Sequence, residues 1–170
     1  MSIKGVTFDM QSPTAKNHGA LFAGILSDGI VSGCAVTVSG KSCYIGAGYL
    51  IAAGRLVQLT ARETVAIAAT SGSVTIVLNI DLTKTATKDE FGQAYFSVVS
   101  GASPELTQDD VNDNGTLYQM PVATLTCTAS SLTVADTCGI AHGRMMGTVY
   151  DSVPTDLSDF VEGEVILVAK

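Results

Sequence analysis

Short runs of β-favouring residues, separated by turn dipeptides, dominate the chain. Ser-Gly and Asn-Gly pairs, which admit the positive φ of tight turns, lie between the runs. No long segment repeats its apolar residues at the helical period of 3.6. The pattern predicts an all-β fold, an antiparallel β-sandwich or a partly open barrel, with segments 36–45 and 55–68 as adjacent antiparallel strands. The predicted strands are VTVS (36–39), SCYI (42–45), RLVQL (55–59), ETVAIAA (63–69), VTIVLNI (74–80), YFSVV (95–99) and PVATLTC (121–127).

One short helix is predicted near residues 104–112. Ser103 is a suitable N-cap, and Pro104 suits the first helical position, where no backbone N–H is needed. Acidic residues follow in the first turns, as the helix dipole favours. Asn114 and Gly115 are expected to end the helix before the strand that follows.

The two ends of the chain carry β-like patterns of different kinds. In KGVTFDM (4–10) the apolar residues Val6, Phe8 and Met10 alternate, as in a strand with one buried face. In GEVILVAK (163–170) the apolar residues are continuous, as in a strand covered on both faces. We therefore expect one β-sandwich domain over 1–150, and an extension or docking arm over 151–170. The last strand either closes its own sandwich or pairs with another subunit.

Composition and charge exclude several classes of partner. The chain has 170 residues, of which 46% are hydrophobic and 15% charged, with a net charge of −7. Nine scattered basic residues do not provide the cationic surface that nucleic acid or an anionic membrane requires. The apolar run at 20–38 is interrupted by Asp28 and glycines, so no membrane span is expected. The start of the chain reaches Asp9 before any apolar stretch, so no signal peptide is expected. Two alternative explanations fit the small share of charged residues: a permanent interface or a well-filled core.

The four cysteines lack the spacing of a metal site. Cys34, Cys43, Cys127 and Cys138 form neither a CxxC pair nor a zinc-like pattern. Free buried thiols, in a protein made in a reducing cytoplasm, are the expectation. Two disulfides are the alternative.

Glycines at 46, 48 and 54 suggest a phosphate-binding loop but lack its context. A dinucleotide fingerprint needs G-x-G-x-x-G between a strand and a helix, so that the helix N-terminus faces the pyrophosphate. Here Gly54 lies six positions after Gly48, and strand-like residues rather than a helix follow each of the two glycines. A Gly-Lys-Ser/Thr sequence is also missing. We therefore interpret the glycines as turns of a sheet, and expect no cofactor.

DVNDNG (110–115) resembles the first half of a calcium loop. Asp110, Asn112, Asn114 and Gly115 occupy the matching positions, but Pro121 stands where the bidentate carboxylate belongs. The alternative is a cap and turn in which Asp and Asn side chains bond their own backbone. We expect no metal site, and no loss of thermal stability in a chelator.

Catalytic residues are not evident. His18 and His142 both lie among glycines in loop-like sequence, and no G-x-S-x-G elbow accompanies them. Sequence alone leaves a Ser-His-Asp triad open, since its members are distant along a chain. The acidic clusters at 88–90 and 155–159 are typical of solvated loops. No catalytic residue is assigned, and the chain is not expected to be an enzyme.

With the strands laid out, residues 36–86 resemble a known family. The Gly-rich hairpin leading to Gly54 and Arg55, the strand ending near ETVAI and the string NIDLTKTAT (79–87) carry the resemblance, together with LTQDDVNDNGTLYQMPVATL (106–125). These features are similar to the N-terminal domain of upper baseplate proteins of siphophages that infect Gram-positive bacteria, and to N-terminal domains of phage tail-fibre proteins. The likeness covers roughly residues 1 to 135.

The resemblance implies a structural adaptor of a bacteriophage tail baseplate or phage-like particle. Such a domain attaches receptor-binding proteins or fibres to the distal tail ring and commonly forms a homotrimer. The protein would then belong to the virion, at the tail tip, after assembly in the host cytoplasm. The helical linker and large C-terminal domain of longer members have no counterpart in these 170 residues. A carbohydrate-binding β-sandwich that contacts the host surface is the alternative function.

Overall fold

The computed structural model describes residues 13–87, 91–143, 149–150 and 167–168. It confirms an all-β chain with antiparallel sheets and one short helix. The elements are α1 (Ala15–Ile25), β1 (Gly29–Gly33), β2 (Val36–Ser39), β3 (Ser42–Ile45), β4 (Gly48–Ala52), β5 (Arg55–Leu59), β6 (Glu63–Ala66), β7 (Gly72–Asp81), β8 (Ala94–Ser100), β9 (Leu117–Cys127), β10 (Leu132–Thr137), β11 (Val149–Tyr150) and β12 (Leu167–Val168).

Three antiparallel sheets enclose the core. The largest has the strand order β10-β9-β7-β8, and two smaller sheets have the orders β1-β4-β5 and β2-β3-β6. Their inward side chains form one cluster, to which Ile45, Leu50, Ile76, Leu78 and Leu125 contribute the largest fully buried groups. The sheets do not close into a barrel, so the sandwich alternative is the one observed. In the C-terminal region β11 and β12 pair in parallel.

Strand β7 is the centre of the largest sheet. Residues 74–80 are all buried, because β8 and β9 flank the strand and both of its faces are covered. Thr75 and Asn79 are the buried polar residues of the described chain, and each has hydrogen-bond partners. The near-continuous apolar sequence of β7 is what a strand without a wet face requires.

The predicted strands are confirmed. The predicted adjacency of 36–45 and 55–68 holds for β3 and β6, which pair antiparallel, whereas β5 pairs with β4 in another sheet. Ala53 and Gly54, with φ of 48° and 72°, form the two-residue turn between β4 and β5. Such a turn favours left-handed φ at both positions. Gly46 and Ala47 carry the chain from the β2-β3-β6 sheet to the β1-β4-β5 sheet. The glycines are therefore sheet turns, as the sequence indicated.

The helix prediction at 104–112 is wrong. That segment runs beside the start of β9, where Gln108 bridges Tyr118 and the Asp109 N–H donates to the Leu117 carbonyl. Its backbone groups bond a neighbouring strand, which competes with the helix that Ser103 and Pro104 would start. The observed helix is α1, for which Thr14 is the N-cap. The Thr14 side chain accepts from the Asn17 N–H, and the Asn17 side chain accepts from the Thr14 N–H.

Candidate functional site

An open groove lies where three edge strands meet. A cavity of about 590 Å³ separates β8 from β5 and β6, and a second of about 360 Å³ continues it beneath α1. Val57, Phe91 and Ala94 line both cavities, so the two form one surface, which we call the edge groove. Leu78, from the central strand, lies at its floor.

Large apolar side chains are exposed around the edge groove. Scattered exposed hydrophobic residues are normal, but a concentration of them marks an interaction surface. Most of these side chains line the groove itself, and the others project from α1, the helix that borders it. The exposed fractions are 62% for Leu56, 67% for Phe91, 41% for Phe22, 40% for Tyr95, 38% for Val98, 55% for Leu21 and 45% for Ile25.

Helix α1 packs beside a group of hydrogen bonds around Arg55 and Asn112, which we call the polar lock. The Arg55 Nε donates to Asn112 Oδ1 at 3.0 Å and its Nη2 to the Val111 carbonyl at 2.9 Å, while Asn112 Nδ2 donates to the Ala53 carbonyl at 2.7 Å. Gly19 packs directly on this pair, since an added Cβ would overlap Asn112 Oδ1. Burial lowers the pKa of the Arg55 guanidinium below its ordinary value. The lock therefore fixes one wall of the edge groove.

Asp28 connects the same turn to the largest sheet. Its Oδ1 accepts from the Ala53 N–H at 2.8 Å, and its Oδ2 accepts from the Tyr118 hydroxyl at 2.6 Å. A carboxylate with a donor at each oxygen is in an ordinary structural role. Asp28 therefore tethers the β4–β5 turn to β9.

The residues of the calcium-like sequence are used structurally. Asn112 belongs to the lock, and Asp110 Oδ1 accepts from the Asn112 N–H at 2.9 Å, as in an Asx turn. Asn114 donates to Asp113, whose carboxylate lies 3.8 Å from Lys16 Nζ. Pro121 lies within β9. Across the described ranges, no group of three or more His, Cys, Asp or Glu is arranged to hold a metal ion.

The two histidines lie apart, and neither forms a triad with the residues described. His18 is in α1 and lines the edge groove, whereas sequence suggested a loop. His142 Nδ1 lies 3.0 Å from Ser27 Oγ, which also accepts from the His142 N–H at 3.0 Å. Within the part of the chain that the structure describes, no carboxylate bonds either ring. The Ser27–His142 pair therefore joins two chain segments, and among the described residues no acid orients the ring as in a triad.

The acidic clusters lie outside the described residues, at 88–90 and 155–159.

The four cysteines are free, as expected from their spacing, with Cys138 the least buried. Burial raises the pKa of Cys34 and of Cys43. For Cys138, burial and then the neighbouring Cys34 raise the pKa to about 11. These thiols are protonated at neutral pH, which makes them poor nucleophiles.

The raised pKa of Cys138 predicts a loss of stability in alkali. Between pH 9 and about 11 the unfolded chain releases the thiol proton that the folded chain keeps, so the free energy of unfolding falls as the pH rises. Cys138→Ala should show a shallower fall than the unaltered chain above pH 9, and a constant offset from it below. Urea unfolding at pH 8, 9.5 and 10.5 measures this. Parallel curves throughout would contradict the assignment.

The edge groove is the feature that sequence reasoning missed. Its walls come from β5 and β6, which are close in sequence, and from α1 and β8, which are distant from them along the chain. The available signal was the apolar residue at an outward position of a strand, such as Leu56 between Arg55 and Val57. That signal shows which way a side chain points but not which other strands lie beside it.

No protein-family model matches this chain, and a search among curated proteins finds no match either. Helix α1, of 11 residues, is the only described helix, and it is too short to cross a bilayer. The described residues form a β-sandwich with an open groove and exposed apolar side chains around it.

Proposed function

We propose that this protein is a non-enzymatic structural component of a bacteriophage tail baseplate or phage-like particle. In this role it is an adaptor that links the distal tail to receptor-binding proteins or fibres. It acts as a homo-oligomer, a trimer by the resemblance of residues 36–86 and 106–125 to such adaptor domains. Its place is the virion tail tip, after assembly in the host cytoplasm.

The observation that carries the proposal is the exposed apolar surface at the edge groove. Leu56 and Phe91 are each more than 60% exposed, on a chain with few charges. Obligate interfaces are more apolar than ordinary surfaces and resemble a domain core cut in half. In a permanent assembly a neighbouring subunit or protein covers such a surface. The apolar side chains are then exposed only in the isolated chain.

The test is incorporation into particles. An affinity-tagged chain, expressed with the genome that encodes it, should sediment with assembled tails, and density for it should appear at the tail tip in electron micrographs. The double variant Leu56→Ser, Phe91→Ser should fold but lose this incorporation. Ile140→Ser is the matched control, because Ile140 is 74% exposed and does not line the groove. A folded chain that never joins particles refutes the proposal.

A carbohydrate-binding module is the second candidate function. Phe91 and Tyr95 are exposed aromatics that line the edge groove, and such rings can stack on a sugar. Binding of cell-wall polysaccharide from the host, lost in Phe91→Ala and Tyr95→Ala, would favour it. Retention of particle incorporation in the same variants would then separate the two functions.

A further inference from the structure

The free edge of β5 faces the groove. Because Ala53 and Gly54 form a two-residue hairpin turn, Ala52 and Arg55 are a hydrogen-bonded pair, and bonded pairs recur at every second residue. Leu56 and Gln58 therefore direct their backbone N–H and C=O groups away from β4. Gln58 and Leu56 both line the groove. An edge of this kind can accept another strand.

Strands β6 and β8 present free edges to the same groove. The Asp81 N–H donates to the Gln93 carbonyl, and bonded pairs alternate along β7 and β8. The backbone N–H and C=O groups of Ala94, Phe96 and Val98 therefore point away from β7. The Ile67 N–H donates to the Lys41 carbonyl, so by the same alternation the backbone N–H and C=O groups of Thr64 and Ala66 point away from β3. All five residues line the groove. Three strand edges thus border one apolar cleft.

A segment with a matching pattern precedes the described chain. Twelve residues come before Pro13, and in them Val6, Phe8 and Met10 alternate with polar positions. Fully extended, they reach about 40 Å at about 3.3 Å per residue. Ala15, two residues after Pro13, lines one end of the groove. The described chain therefore begins beside one end of the groove.

We propose that the edge groove of one copy receives residues 4–10 of a second copy as an added strand. This rests on the homo-oligomer of the proposed function. Backbone hydrogen bonds to a free edge would supply affinity, and alternate apolar side chains would fill the cleft, as in strand addition generally. A second copy also explains Leu21 and Ile25, which are exposed on α1 outside the groove and which a single added strand would leave open.

Cysteine cross-linking of full-length chains tests the proposal. One population carries Phe8→Cys, and the other carries Val98→Cys, at a groove position that is 38% exposed. Mixed and mildly oxidised, they should form a disulfide-linked pair of chains, whereas the unaltered chain, with its own four cysteines, should not. A chain bearing both substitutions that links only within itself would show that the segment occupies its own groove, and would overturn exchange between copies.

A second measurement separates the interface from folding and from the proposed function. Val6→Ser with Phe8→Ser should reduce the oligomer to monomer in light scattering, with an unaltered circular dichroism spectrum. Thr7→Ser with Asp9→Asn, on the other face of the alternating pattern, should leave the mass unchanged. An oligomer without the cross-link refutes this strand exchange alone. Cross-linked oligomers that never join tail particles refute the proposed function alone, and a monomer at every concentration refutes the exchange and the oligomer together.

Discussion

Gly54→Ala is expected to lower the free energy of unfolding by about 3 kcal/mol. Gly54 has a φ of 72°, where an L-residue costs about 1–2 kcal/mol. Its added Cβ would also overlap the Gly19 carbonyl oxygen and the Ala23 backbone nitrogen, both in α1. Backbone atoms cannot rotate away as a side chain can, so the helix must shift from the β4–β5 turn. Urea unfolding measures the loss, and hydrogen exchange in α1 shows where it acts.

Gly40→Ala is the matched control for this prediction. Gly40 has a φ of 57° in the turn between β2 and β3, and an added Cβ there meets no atom within 4 Å. It should therefore show the conformational cost alone, about 1–2 kcal/mol. The difference between the two variants measures how tightly α1 is docked. Equal losses, with unaltered exchange in α1, would show that the close contact at Gly54 has no energetic weight.

Asn79→Leu is expected to lower the free energy of unfolding by about 2–4 kcal/mol. Asn79 is 2% exposed, and its Nδ2 donates to Ser97 Oγ at 2.8 Å and to the Tyr95 carbonyl at 3.1 Å. Its Oδ1 accepts from Gln119 Nε2 at 2.8 Å. Leucine has a similar volume but bonds none of these groups, so several polar atoms beside β7 lose their partner. Their desolvation, rather than a cavity, causes the loss.

Thr75→Val on the same strand provides the comparison. Thr75 is 1% exposed, and its hydroxyl donates to the Gly101 carbonyl at 2.8 Å. Valine matches its shape and removes this donor, so the expected loss is about 1 kcal/mol. Thermal and urea unfolding of both variants should rank Asn79→Leu well below Thr75→Val. A loss at Asn79 no larger than that at Thr75 would show that its network adds no stability beyond one hydrogen bond.

The polar networks and the edge groove have different consequences for function. Asn79 and the lock of Arg55 with Asn112 each form hydrogen bonds between elements that are distant in sequence, and two of the bonded residues, Ser97 and Arg55, line the groove. The groove also contains strand edges that have no partner strand in their own sheets. A site with free strand edges favours a partner that adopts an extended conformation on binding. Variants at Asn79 and Gly54 therefore also test how far the groove depends on its supports.

The strands were predictable because β structure with one or two buried faces leaves a local pattern. Val36–Ser39, Ser42–Ile45 and Arg55–Leu59 match their predicted bounds, and the longer strands differ only at their ends. Gly54 indicated a turn between two strands, since glycine readily adopts the left-handed φ that a two-residue hairpin requires. These are properties of neighbouring residues, and they do not depend on what packs against them.

The helix assignments show where local signals compete. Ser103 and Pro104 are suitable helix starters, but the backbone of 107–109 instead bonds the first residues of β9. Helix α1, which the sequence analysis did not predict, forms after the capping box of Thr14 and Asn17. The two segments differ in their neighbours: a strand lies beside 107–109, whereas α1 packs against the β4–β5 turn and Asn112.

By itself, the sequence determined the fold class, most strand positions, the sheet turns at Gly46 and Gly54, and the free thiols. Periodicity and turn chemistry act over a few residues and can be read directly. Only the tertiary structure decided that β3 and β4 lie in different sheets, that Asn112 holds Arg55, and that the edges of β5, β6 and β8 meet at one groove. These features depend on long-range pairing, in which many registers are compatible with the same alternation, and the packing of one shared core selects among them.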